Sequence, residues 1–392
     1  MAMDGIFGEA VDRIGGEPIS ARMARKAPIR HLDPSLLMIT LMLAAYGAIM
    51  VQSTTVDNQA TAGLDPNLFL KRQVAFLVAG MIALLAISFF DYRYLAGFSP
   101  VIYGVTVASL ILVLTPLGTL HSGATRWIDL GVIEAQPSEL AKVAIIIVLA
   151  AFLAAKKGDL TSLDVAAAVG IVAIPSILIY RQPDLGTMMV FVALLGAALL
   201  SGGAKIRHFI ALGFIGLVTV IFVLQAGLLK DYQLERLSSF LDPNPDVQSV
   251  GYNLTQSKIA IGSGGMEGKG LGGKNTQTSL DFVPEQHTDF IFTAVGEQLG
   301  FLGSATLLGM FAFLLWRGLR IAALSRDLFG TLLASGVVAL WAFQIFVNVG
   351  MTMGIMPITG IPLPFISYGG SSLITNFVAV GLLLNIHMRR YI

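Results

Sequence analysis

Glu285, His287 and Asp289 fall within five residues of one another, just ahead of an apolar run that begins at Phe290. Two carboxylates and an imidazole at the lip of an apolar span are costly to place there, which makes them a candidate functional site. A carboxylate so placed can take a proton from a hydroxyl group, with its neighbours tuning it. Glu285 and Asp289 are four apart, so a helix would set both on one face. The same stretch also suits a helix start, because Thr288 and Asp289 are both good N-caps.

Three further groups of residues have the types for binding. Arg126 beside Trp127 suits a phosphate and an apolar face, or equally an interfacial aromatic with a snorkelling neighbour. Glu139 and Lys142 are three apart near one end of an apolar run, and Glu297 lies about two turns into another. Such charges are expensive unless paired, so they form either a structural ion pair or a lysine set beside a diphosphate. Ser367, Tyr368 and Gly369 precede a helix and can offer backbone N–H groups to an anion, or simply form a glycine-enabled turn with a serine cap.

Other pattern matches carry no weight. Gly268-Lys-Gly-Leu-Gly-Gly273 fits a dinucleotide-binding spacing but is not a strand-to-helix turn. His31, His121, His208 and His387 are scattered, so no metal cluster is visible. The absence of cysteine excludes disulfides and thiolate metal sites, and nothing supports nucleic-acid binding.

The elements that must position these residues are apolar helices. Of 392 residues, 55% are hydrophobic and only 12% charged, too apolar for a soluble chain of this length. Ten runs stand out, at about 34–53, 72–90, 95–115, 138–155, 161–180, 184–201, 205–225, 290–316, 328–350 and 371–388. Most have the roughly 17–25 residues a membrane-crossing helix needs. The expected fold is therefore an all-α bundle of about ten transmembrane helices over 34–392, behind a polar cytoplasmic leader at 1–33.

With the N-terminus inside, the inner segments hold 15 of the 25 basic residues but 9 of the 24 acidic ones, in line with the positive-inside rule. Both termini are then cytoplasmic, and Glu285, His287 and Asp289 face outward. Residues 226–289 form one large extracytoplasmic loop, with helical spacing over 253–261 and a short interfacial helix expected within 225–240. Residues 354–372 are apolar but broken by Pro357, Pro362 and Pro364. Irregular apolar backbone at membrane depth must be buried in protein or line a cavity, so this reads as a re-entrant segment.

Four motifs carry a resemblance: Phe282-Val-Pro-Glu-Gln-His-Thr-Asp-Phe-Ile-Phe292, Gly123-Ala-Thr-Arg-Trp127, Gln136-Pro-Ser-Glu-Leu-Ala-Lys142 and Pro362-Leu-Pro-Phe-Ile-Ser-Tyr-Gly-Gly-Ser-Ser372. Together they resemble the SEDS family, which serves bacterial shape, elongation, division and sporulation. Gly251–Gly262 and Gly360–Pro364 look more like its RodA, or elongation, branch than its FtsW, or division, branch.

The resemblance implies a peptidoglycan glycosyltransferase of the bacterial inner membrane. Such enzymes polymerise lipid II into β-1,4 glycan beside a class B penicillin-binding protein. It implies Asp289 as the essential residue, and the chemistry of an inverting transfer, which needs one base, gives that residue the expected role of general base. Arg126 and Lys142 would then neutralise the departing diphosphate, Glu285 and His287 would position Asp289, and Trp127 would lie against lipid or sugar. No cofactor is otherwise expected, although carboxylates beside a diphosphate are compatible with magnesium or manganese. The rival readings are a lipid II flippase or other polyprenyl-lipid transporter, and a scaffold that only recruits the crosslinking enzyme.

Overall fold

The computed structural model describes residues 31–121, 124–129, 131, 134–158, 160–227, 234, 250–273, 276–278 and 286–390. Residues 1–30 of the expected leader, and 228–240 of the stretch expected to hold an interfacial helix, Leu234 apart, lie outside them. Eleven helices follow in order: α1 Pro34–Thr61, α2 Leu68–Phe89, α3 Arg93–Val113, α4 Pro137–Ala154, α5 Ser162–Arg181, α6 Leu185–Ser201, α7 Ile206–Gln225, α8 Val250–Ser263, α9 Ile291–Ala323, α10 Leu328–Met353 and α11 Gly370–Arg389. Among the described residues, nine are long and apolar enough to cross a membrane. The 17-residue α6 is slightly shorter but within reach of a span. The ten expected runs thus all appear as helices, and the helical spacing over 253–261 is realised in α8.

Local chemistry sets the helix ends. Pro34 opens α1 behind Asp33, whose carboxylate accepts from the Ser35 and Leu36 N–H groups at 3.1 and 3.2 Å. Asp327 caps α10 in the same way, at 2.7 Å from the Gly330 N–H. Pro137 opens α4 with Glu139 in its first turn. The α5–α6 connection is the tight hairpin Gln182-Pro183-Asp184.

Burial sorts the helices into centre and rim. α4, α10 and α11 are mostly enclosed, and α4 is apolar on every face, as a central helix must be. α2, α3 and α7 expose most of their apolar side chains, and on α7 only His208 is buried. That is the pattern of helices facing lipid.

Two features lie outside a purely helical plan. First, β1 Gly118–His121, β2 Ala124–Asp129 and β3 Glu134–Ala135 form an antiparallel sheet between α3 and α4. Second, α9 is broken at Gly300, whose φ is 63°. The glycine-rich run after α8 feeds into that break. Lys269 and Gly270 donate backbone N–H groups to the Glu297 and Gln298 carbonyls at 3.0 and 2.9 Å. In return, Phe301 and Leu302 donate to the Gly265 and Met266 carbonyls at 2.9 and 3.1 Å. A Cβ on Gly268 would stand 2.2 Å from the Gln298 carbonyl oxygen, so close backbone approach explains the glycines there.

Glu297, fully buried, fastens this loop. Its carboxylate takes the Lys269 ammonium at 2.8 Å, the Gln277 and Thr278 N–H groups at 2.7 and 2.9 Å, and the Thr278 hydroxyl at 2.6 Å. The expected grouping of Glu297 with Glu139 and Lys142 is therefore corrected: it pairs with Lys269. Glu297→Gln should destabilise the protein by about 3 kcal/mol, because one charge and several donors lose their acceptor. A thermal midpoint in detergent unchanged from wild type would refute this.

A candidate active site at one end of the bundle

Residues 286–290 form a turn, and α9 starts only at Ile291 with Phe290 as an N-cap that makes no side-chain bond. The expectation that a helix carries Asp289 is thereby corrected: the residue sits on a turn ahead of the helix. Glu285, expected on the same face, lies outside the described residues.

The turn is held against the proline-broken segment 354–369, which has no helical structure between α10 and α11, its 354–356 turn and a turn over 364–366 apart. That segment is buried in protein, with Leu363, Phe365 and Ile366 almost inaccessible, as its missing backbone partners require. The Ser367 hydroxyl donates to the Thr288 carbonyl at 2.6 Å and accepts from the Leu363 N–H at 2.8 Å. The Tyr368 N–H donates to the His287 carbonyl at 2.8 Å. The His287 ring lies 4.9 Å from Phe69 on α2 and 5.7 Å from Tyr368, centroid to centroid. The Asp289 side chain is half-buried beside Gly360, where a Cβ would stand 3.1 Å from its Oδ2.

The role expected for Ser367 and Tyr368 changes accordingly. The Ser367 N–H donates to Leu363 at 3.0 Å and the Tyr368 N–H to His287, so neither is presented to an anion. Both residues clamp the turn that bears Asp289. Gly369 is the residue before α11 and bonds Leu373 through its carbonyl.

Asn348 is the residue that sequence reasoning missed. Fully buried in α10, its Nδ2 donates at 2.8 Å to both the Asp289 and the Ile361 carbonyls. It thus ties the two irregular segments together at the carboxylate. The signal was an asparagine inside an apolar span, between Val347 and Val349. Asn348→Ala would leave two buried carbonyls without their donor, and we expect any activity that depends on Asp289 to fall about tenfold to a hundredfold. Wild-type rates in that variant would dismiss the positioning role.

The remaining motifs converge on the same end. Ser371 accepts from the Gln136 N–H at 3.0 Å and donates to the Glu134 carbonyl at 3.3 Å, docking the start of α4 on the start of α11. Arg126 on β2 reaches the α5–α6 hairpin, donating to the Gln182 carbonyl at 3.1 Å and to that of Pro183. These acceptors are neutral carbonyls and bring no compensating charge to it. Trp127 is half-buried beside it, its carbonyl accepting from Thr119 at 3.2 Å. Glu139 and Lys142 form a buried ion pair at 2.7 Å. Lys142 is therefore matched by its own carboxylate, which favours the structural reading of the pair over a free phosphate cation. No three histidine, aspartate or glutamate side chains converge as metal ligands among the described residues.

Apolar helices enclosing a proline-broken buried segment, with the Asp289 carboxylate beside it, define a polytopic membrane protein with a polar site at one end of the bundle. Within that class, the chain belongs to the FtsW/RodA/SpoVE family, whose model, described as cell cycle protein, matches residues 34–392. It is 37% identical over 361 residues to the peptidoglycan glycosyltransferase MrdB of Escherichia coli, covering 92% of this chain and 94% of that one. It is 40% identical over 357 residues to stage V sporulation protein E of Bacillus subtilis, covering 90% and 96%. Among solved structures, it resembles a chain from work on coordinated polymerization and crosslinking by a peptidoglycan synthase complex, at a TM-score of 0.77, 31% identity and coverage of 92% and 98%. The rod shape determining protein RodA of Thermus thermophilus follows at a TM-score of 0.68, 28% identity and the same coverage.

Proposed function

We propose that this chain is a peptidoglycan glycosyltransferase that polymerises lipid II, with Asp289 as general base. The observation that carries the reading is the fastening of Asp289: Asn348, Ser367 and Tyr368 fix its turn, while its carboxylate stands beside Gly360. A group held this firmly at the rim of an apolar bundle is preorganised for proton transfer.

The donor is an α-linked glycosyl diphosphate and the product bond is β-1,4, so displacement inverts the anomeric carbon and needs one base. The acceptor 4-hydroxyl gives its proton to the Asp289 carboxylate as its oxygen bonds the anomeric carbon. The bond to the diphosphate breaks in the same displacement, and undecaprenyl diphosphate leaves with the electron pair. Diphosphate is a good leaving group, so a cation serves better than a strong acid, and Arg126, which bonds neutral carbonyls among the described residues, supplies it. Glu139 and Lys142 hold the start of α4, and Trp127 and His287 line the approach.

The excess of basic residues on the inner segments supports cytoplasmic termini and an extracytoplasmic site. The likeness to a synthase complex supports a class B penicillin-binding protein as partner, and the RodA-like motifs support a role in elongation. Detergent-purified protein given lipid II, without a membrane gradient, should make glycan polymer. Lipid movement in vesicles with no polymer under any condition, including added partner, would point to a flippase instead.

A further inference from the structure

One strip of α2 meets the turn that bears Asp289. The Phe69 ring lies 4.9 Å from His287 and 5.0 Å from Tyr368, and the Phe76 ring lies 6.5 Å from Tyr368. A Cβ on Gly370 would stand 2.7 Å from the Phe76 ring, so the strip rests on the start of α11. Successive helical residues turn by about 100°, so Phe69, Arg72, Gln73 and Phe76 share one arc about 100° wide. Arg72 and Gln73 therefore belong to the face of α2 that packs on the candidate site.

The fold uses neither of them. Gln73 is fully buried, yet its amide nitrogen and oxygen have no hydrogen-bond partner among the described residues. A buried amide left unpaired costs stability, and such groups mark strained or functional sites. Arg72 is exposed and makes no hydrogen bond, ion pair or ring contact among the described residues. Its neighbour Lys71 shows the ordinary arrangement at a span's end. It stands on the opposite side of α2, and Asp65 answers its ammonium in an exposed pair.

The chemistry proposed above needs such a cation. The departing diphosphate gains negative charge as the glycosidic bond breaks, and fixed positive groups stabilise that charge. Lys142, expected to share this task with Arg126, is matched by Glu139. Arg126 stands on β2, and the adjoining β3 meets the start of α11 through the Ser371 bond to the Glu134 carbonyl. α2 meets the same helix start through Phe76. The two arginines thus belong to elements that converge on one helix end.

We propose that Arg72 binds the diphosphate of the lipid-linked sugar, as a second cation with Arg126. Its planar fork matches phosphate oxygens in a way that a lysine cannot. The choice of diphosphate rests on the glycosyltransferase reading.

Retention of undecaprenyl diphosphate by the detergent-purified full chain, read by native mass spectrometry against undecaprenyl phosphate and phosphatidylglycerol, tests the assignment. The wild type should prefer the diphosphate. Arg72→Gln should weaken its retention about tenfold, the loss of one charge-assisted contact, and leave phosphatidylglycerol retention unchanged. Arg72→Lys should recover part of the loss, and Lys71→Gln should match wild type. Arg72 is exposed and bonds nothing among the described residues, so thermal midpoints of these variants should stay at the wild-type value. Equal diphosphate retention by wild type and Arg72→Gln, an equal loss in Lys71→Gln, or a parallel loss of phosphatidylglycerol would overturn the assignment. No glycan is made in this assay, and Asp289→Asn should retain the diphosphate at least as well as wild type. Should wild type fail to polymerise lipid II while these retention differences hold, the proposed function falls and the Arg72 site stands.

Discussion

Asp289→Asn should abolish glycan polymerisation, lowering the rate about 10² to 10⁴-fold, the range for loss of a positioned general base. Asparagine keeps the shape of aspartate and the backbone bonds that fix the turn. The Asp289 carbonyl still accepts from Asn348, and Ser367 still holds Thr288. The thermal midpoint should therefore stay close to wild type while product disappears. The negative charge and the ability to accept a proton are removed, while the backbone bonds of the turn remain. Gel analysis of labelled lipid II incubated with each protein checks this, and near-normal polymer from the variant would remove Asp289 as the base.

The second large effect lies away from the carboxylate. α1 passes the proline-broken segment at Gly47, where a Cβ would stand 2.4 Å from the Phe365 carbonyl oxygen and 2.7 Å from the Ile366 Cα. Both are backbone atoms, so the segment itself must move to admit alanine. It has little room to do so. Phe365 already adopts a φ of 64°, a left-handed conformation that bulky residues rarely accept. Its ring is fixed between Trp341 and Phe377, at 5.7 and 5.9 Å. Gly47→Ala should cost about 1–3 kcal/mol from overpacking. A shift of about 1 Å carried to Ser367 and Gly360 would slow the reaction on the order of a hundredfold. Gly104→Ala is the control, because a Cβ there meets nothing within 4 Å. Equal rates for the two alanine variants would contradict the idea that close approach of α1 sets the site.

What was legible in the sequence follows from what is local. Span lengths need only hydropathy, and the α4 start needs only Pro137 and Glu139, so both came through. The re-entrant segment was legible because three prolines in an apolar run leave few alternatives. Asp289 stood out as a costly charge at a span's edge, and its role there is the proposal made above. The partners were not, because they lie far along the chain. Nothing near Glu297 announces Lys269, and nothing near Arg126 announces the carbonyls of Gln182 and Pro183. Asn348 looked like one polar residue in a helix, since its two acceptors sit at 289 and 361. The break at Gly300 escaped notice because it exists only with the glycine-rich loop folded into it. The short sheet at 118–135 likewise depends on pairing between strands rather than on any strong pattern within them.

The most direct test compares lipid II binding with turnover in the same Asp289→Asn preparation. The expected result is a dissociation constant for lipid II within about threefold of wild type, together with no polymer, because the carboxylate acts on the proton rather than on affinity. Binding lost in parallel with turnover, or polymer formed at the wild-type rate, would contradict it.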